Sequence, residues 1–92
     1  MDRLTELQTL CAPLSAETQK VIYPLLKDIV YEEEMLHKFR ENPKTKTNAA
    51  MYKAYRQTKQ IYQTDIKTLL WLLRQNETSA ADALLEKLRE FE

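Results

Sequence analysis

A chain of 92 residues that contains not one glycine has few ways of reversing direction sharply. The tight hairpin turns that join antiparallel strands need backbone at positive φ, which costs every residue except glycine and, to a lesser degree, Asn and Asp. A sheet is therefore disfavoured, and the abundance of Leu, Lys, Glu, Gln, Thr and Ala favours helix instead. At this length the chain makes one small domain with a thin core. The expected fold class is all-α: an antiparallel hairpin of two long helices plus a short C-terminal helix, assembled into an oligomeric bundle.

The helices are marked out by apolar periodicity and by their stops. Leu4, Leu7 and Leu10 outline a turn or two before Pro13, so residues 1–14 are read as a short helix or arm, a lid at most. Ser15 is a good N-cap, and Ile22, Leu25, Leu26, Ile29, Leu36 and Phe39 then recur at three- and four-residue steps as far as Asn42-Pro43. That spacing predicts one long helix over 15–42, kinked or broken near Val21 to Tyr23 by Pro24. The polar NPKTKTN, 43–48 with its leading Asn42, reads as the connecting loop. Asn48 or Thr47 can cap a second long helix over 49–75, whose stripe of Met51, Tyr55, Tyr62, Ile66, Leu69 and Leu73 runs for roughly 40 Å at about 1.5 Å per residue. Ser79 with Asp82 resembles a capping box, and Leu84, Leu85, Leu88 and Phe91 follow, giving a third helix over 79–91.

Two long helices and a short one offer little cover for so many apolar side chains. Leu70 and Trp71 lie off the stripe of the second long helix, so a second surface must meet them. Either the third helix folds back over them, or Leu70, Trp71, Leu84 and Leu88 form a subunit interface, and both can hold at once. A homo-oligomer is expected. Glu33 falls inside the apolar stripe of the first long helix and needs a donor there. With the hairpin centred near residue 45, that donor is a tyrosine hydroxyl from the Tyr55 to Tyr62 stretch, or Lys59.

The formal net charge is zero, with 14 basic and 14 acidic residues, but their distribution is uneven. Residues 40–68 carry seven bases and two acids, whereas 1–39 carry four and seven and 69–92 carry three and five. On the second long helix Lys53, Arg56, Gln60, Gln63, Lys67 and Arg74 fall in one band opposite the apolar stripe. Continued by Arg40 before the loop and by Lys44 and Lys46 within it, this band can lie along the phosphates of duplex DNA, or be a plain solvated face.

Little else in the sequence points to chemistry. One histidine, His37, and scattered acids supply no nucleophilic triad, no glycine-rich phosphate loop exists, and the chain is not expected to be an enzyme or to hold a cofactor. Glu34 and His37 stand at the i, i+3 spacing used in di-iron bundles, but the further carboxylates have no place near them: the assumed register sets Asp65 opposite Leu25 and Leu26, so no metal is expected. Glu33 with His37 and Glu34 with Lys38 are i, i+4 surface pairs in the plainer reading. Cys11, the single cysteine, cannot form an internal disulfide and reads as a small hydrophobe. The longest uninterrupted apolar run, Leu69 to Leu73, falls far short of the roughly 20 residues of a membrane span.

The segments LLKDIVYEEEMLHKFRENP and AAMYKAYRQTKQIYQTDIKTLLWLL add a further expectation. A long helix ending in Asn-Pro, a short polar loop, and a helix with Ala-x-x-x-Tyr-Lys followed by Lys, Gln and Tyr before a leucine-rich end resembles the small subunit of phage DNA-packaging terminase and related short phage head-region proteins, over about residues 20–74. The resemblance implies a ring-forming adaptor that binds viral DNA and engages the large motor subunit. Because the residues before Pro24 do not supply the helix-turn-helix that many such proteins carry, DNA contact would fall to Arg40, Lys44, Lys46, Lys53, Arg56 and Lys67. The second expectation is a phage-encoded inhibitor or assembly factor that ignores DNA and presents Trp71, Tyr52 or an acidic face to a host or phage protein. With no signal-peptide pattern in MDRLTELQTL, a reducing cytoplasm is expected, the host's if the chain is phage-encoded.

Overall fold

A computed structural model describes the backbone of residues 2–76 and 78–91, and the side chains of all of these except 76 and 78–80. Among the described residues lie four α-helices and no strand: α1 (Arg3–Leu10), α2 (Ala16–Glu41), α3 (Ala49–Asn76) and α4 (Thr78–Arg89), with a 3-10 turn at Pro43–Lys46. The all-α expectation holds. No described helix is long and apolar enough to cross a membrane.

Local chemistry sets the helix limits. The Ser15 hydroxyl accepts from Thr18 N at 3.2 Å and starts α2, and Asn48 Oδ1 accepts from Met51 N at 3.1 Å and starts α3, each satisfying an amide that the first turn leaves without a partner. Asn42, extended before Pro43, ends α2 and its Oδ1 accepts from Lys44 N at 3.0 Å. Of the kink or break expected near Val21 to Tyr23, the break is absent: α2 runs as one helix from Ala16 to Glu41 with Pro24 inside it. Pro24 and Lys20, whose carbonyl loses its partner to the proline ring, are both exposed, so water can meet that carbonyl. The cap expected at Ser79 lies outside the described side chains, and α4 starts at Thr78.

The two long helices pack as an antiparallel pair in a molecule whose longest dimension is 46 Å, and Ile22, Leu26, Ile29 and Leu36 of α2 meet Tyr62, Leu69 and Leu73 of α3 in the core. The pairing is offset from the register expected. Glu33 meets Tyr62, and Phe39 meets Tyr55, so the hairpin is centred near residue 47 rather than 45. The 3-10 turn and the Asn48 cap take up chain on the α3 side of Pro43. One consequence is that Asp65 lies against Glu32 instead of Leu25 and Leu26.

α1 and α4 cover the same side of this hairpin and touch each other. Far from being only a lid, α1 contributes Leu7, fully buried, and the chain after it contributes Cys11 and Leu14 to the core. α4 adds Ala81, Leu84 and Leu88. Phe91, just beyond α4, is held between α2 and α3: its ring takes the His37 ring edge-on at 4.9 Å, lies 5.4 Å from Tyr62, and carries the Arg40 guanidinium 5.0 Å above it. These contacts fix the far end of α4 against the hairpin.

Glu33 joins α2 to α1 and α3 and, through Arg3, to α4. Only 3% exposed, its carboxylate accepts from Arg3 Nε at 3.0 Å and Arg3 Nη2 at 3.2 Å, and from the Tyr62 hydroxyl at 2.9 Å. The tyrosine hydroxyl expected for it is there; Lys59 is not, and Arg3 is an addition that periodicity could not reveal. Arg3 Nη2 also donates to the carbonyl of Lys87 at 3.0 Å, so one guanidinium ties α1 to α2 and α4. Around it, Lys87 meets Glu6 at 3.4 Å and Glu90 at 3.2 Å.

Candidate nucleic-acid interface

Because Tyr62, Leu69 and Leu73 point α3 into the core, the opposite side of the helix must face water. Lys53, Arg56, Gln60, Gln63, Lys67 and Arg74 are all exposed there, as the spacing predicts. α3 holds a single acid, Asp65, and that side chain is directed to Glu32 on α2, so no acid of α3 interrupts the band along this helix.

The turn continues it. Thr45 is buried, its hydroxyl donating to the Phe39 carbonyl at 2.7 Å, and this anchor throws its neighbours Lys44 and Lys46 outward, both exposed. None of Lys44, Lys46, Lys53, Arg56, Lys59 and Lys67 forms an ion pair with another described residue; the ion pairs present gather instead around Arg3 and Lys87. These cations are hydrated and free to release counterions to a polyanion.

Arg40 is different from the others in the predicted set. It is exposed, but its Nε donates to the Tyr55 hydroxyl at 3.4 Å and its guanidinium lies over Phe91. The hydrogen bond from Arg40 lowers the Tyr55 hydroxyl below the ordinary tyrosine pKa. Lys59, expected as an alternative partner for Glu33, stands on the surface with Tyr52, Tyr55, Arg56, Gln60 and Gln63, lining a groove of about 470 Å³. The charge pattern alone marked Lys59 as basic; only the register shows that it joins this surface.

Next to that groove, and sharing Tyr52 and Tyr55 with it, is a cleft of about 580 Å³ between the end of α2 and the start of α3. Phe39, Tyr52 and Tyr55 give it aromatic walls, and Arg40 and Lys46 stand with the acid Glu41 at its rim. The Phe39 and Tyr55 rings meet edge to face at 6.0 Å, so Tyr55 is fixed, while Tyr52 is 47% exposed. From the sequence, Tyr52 is expected only as an anchor for a protein partner and Tyr55 in the core stripe, and neither expectation brings the two together in one cleft. The tyrosine spacing i, i+3 between Tyr52 and Tyr55 is the signal that was available.

The other predicted set divides. Leu70, Leu84 and Leu88 are core residues of this chain, Leu70 at 9% exposure and the other two more deeply buried, because α4 folds back on α3 and covers them. They are thus not an exposed subunit interface. Trp71 is not covered and remains 60% exposed, with Lys67 and Arg74 one turn away on either side.

The Glu34 and His37 pair borders a small cavity of about 300 Å³ with Arg3, Glu33, Glu90 and Phe91. His37 meets the Phe91 ring, and among the described residues no group of three or more His, Cys, Asp or Glu is placed to hold a metal ion. Burial pushes the Cys11 thiol up to about 11, the behaviour of a packed hydrophobe rather than a nucleophile.

No family model, curated protein or solved structure matches the chain.

Proposed function

We propose that this protein is a non-enzymatic DNA-binding adaptor of the kind the terminase small subunit exemplifies, working as a homo-oligomer and contacting duplex phosphates through Lys44, Lys46, Lys53, Arg56, Lys59 and Lys67. The observation that carries the reading is the unbroken exposed band of cations, none of them neutralised by a described carboxylate. A band on one straight helix follows a phosphate backbone without reading base edges, so binding is weak per subunit, indifferent to sequence, and strengthened when several subunits present their bands together. The phage motor subunit is the partner that this role would require.

A salt titration against a duplex tests it. Log affinity should fall linearly with log salt, by about 0.9 for each phosphate neutralised. Replacing Lys53 and Arg56 together by Glu should abolish binding with the helix content unchanged. No binding at about 50 mM salt would refute the reading.

One observation favours a second reading, a helical module that docks a protein. Trp71, Tyr31, Val21 and Ile61 are large, apolar and well exposed, and tryptophan is a preferred anchor of protein interfaces. Replacing Trp71 by Ala would then weaken association and leave the salt dependence of DNA binding alone.

A further inference from the structure

Resting on the nucleic-acid reading, we propose that the aromatic cleft at the hairpin turn takes an unpaired nucleobase, stacked on Tyr52, while Lys46 on one side and Arg56 with Lys59 on the other hold the phosphates that flank it. The preferred ligand is therefore a single strand, or the frayed end of a duplex, rather than continuous double helix.

Three features lead there. The cleft is large enough for a base: about 580 Å³, within the range of small-ligand sites. Its walls are flat π-surfaces, Phe39, Tyr52 and Tyr55, and the edge-to-face contact between Phe39 and Tyr55 holds one side in place without a ligand. The adjoining groove along α3, with Tyr52 and Tyr55 in common, is lined by Arg56, Lys59, Gln60 and Gln63, so a strand with its base in the cleft finds cations and amide donors along its backbone. Aromatic stacking beside a cationic track is the arrangement by which single strands are held with little sequence preference. A protein ligand would have to neutralise the same cations, and the one acid in the cleft, Glu41, gives a basic partner little to meet. In a continuous duplex no base is free to enter, so duplex uses only the phosphate contacts.

The test compares two single strands of the same charge, one with bases and one without, beside a duplex. Fluorescence anisotropy at about 50 mM salt would follow labelled oligothymidylate, an abasic oligonucleotide of equal length, and a duplex. The full chain should prefer oligothymidylate over the abasic strand by about 5- to 150-fold, the range given by one stacked base. Tyr52→Ala should collapse that ratio to about one, and Tyr52→Phe, which keeps the ring, should preserve it. Tyr52 is exposed, and circular dichroism would verify that both variants keep their helices. If oligothymidylate and the abasic strand bind equally, the cleft takes no base and only the phosphate reading survives. If the ratio is present but survives Tyr52→Ala, the base is held elsewhere and the proposal falls. If no oligonucleotide binds at all, the proposal falls with the proposed function, and the cleft is left to a protein partner.

Discussion

Two neighbouring glutamates, Glu32 and Glu33, face opposite sides of the same helix seam and have opposite surroundings. Both are buried, at 7% and 3% exposure. Glu33 lies on the side covered by α1 and α4, where Arg3 and Tyr62 supply three hydrogen bonds to its two oxygens. Glu32 meets another carboxylate, Asp65, with Asp28 one turn away on its own helix, and its Oε1 has no hydrogen-bond partner among the described residues. Burial, then the hydrogen bond and charge of Asp65, and then the charge of Asp28 raise the Glu32 carboxyl to about 8. Two carboxylates can be hydrogen bonded only with a proton between them. The difference shows that burying a charge is a matter of donors rather than depth: one residue along the helix changes the partner from a guanidinium to a like charge.

The largest effect should come from breaking the satisfied side. Glu33→Ala leaves the Arg3 guanidinium and the Tyr62 hydroxyl without their acceptor and opens a hole between four helices, and it is expected to lower unfolding free energy by about 3 kcal/mol in urea melts. A loss below about 1 kcal/mol would mean that Glu33 is held in water rather than in the seam.

The unsatisfied side should show itself through pH. A carboxyl whose folded pKa is raised to about 8 binds its proton more tightly in the native chain than in the unfolded one, where the ordinary value of 4.5 applies. Its contribution is therefore fully present below about pH 4.5, declines as pH rises from there to about 8, and is lost above. The decline cannot exceed about 1.4 kcal/mol per pH unit for one proton. It should total on the order of 2 kcal/mol, because Asp65 is only half-buried and water screens the pair. Glu32→Gln, which donates to Asp65 at any pH, should flatten the difference and be the more stable chain at pH 8. Parallel slopes for the two chains between pH 5 and 8 would show that no proton is held there.

How much of this was readable in the sequence follows from what sets each feature. Caps and stripes are local, so Ser15, Asn48 and the two long helices were legible, and the need of Glu33 for a donor, a tyrosine hydroxyl or Lys59, followed from its place in the stripe. The register was not, because it depends on how NPKTKTN coils, and moving the hairpin centre from 45 to about 47 slides the partners along α2 by about four residues, carrying Asp65 away from Leu25 and Leu26 and toward Glu32. Nor was the role of α1: eight residues are too few to hold a helix by propensity, and what fixes them is Arg3 reaching Glu33 and Lys87, contacts between residues far apart in the chain. Leu70, Leu84 and Leu88 were apolar and needed cover; periodicity alone cannot say whether that cover comes from the same chain or another. The basic band was legible as a band, but its aromatic end depends on which side chains the turn brings together.

Arg3→Lys sharpens the comparison at a smaller scale. Lysine keeps the charge but cannot span both Glu33 oxygens and the Lys87 carbonyl with one planar group. The expected loss is about 1 kcal/mol, less than for Glu33→Ala because the carboxylate keeps Tyr62 and a cation. A loss as large as that of Glu33→Ala would mean that the fork geometry, and not the charge, holds the corner.

Cys11 reports on whether that corner opens as a unit. It follows α1 directly and is buried, with its thiol raised to about 11 by burial, so at pH 8 little thiolate is present and an aromatic disulfide reagent can reach it only when α1 lifts from the hairpin. If Arg3 and Glu33 are what hold α1 down, Arg3→Lys should speed labelling by about the factor of 5 that 1 kcal/mol gives, under conditions where α2 and α3 remain folded by circular dichroism. Glu32→Gln, on the opposite side of the seam, should leave the labelling rate at pH 8 unchanged or slightly slower. Slowing by Glu32→Gln that matches its full gain in global stability at pH 8 would show that Cys11 is exposed only by global unfolding, and that the two sides of the seam are one cooperative unit.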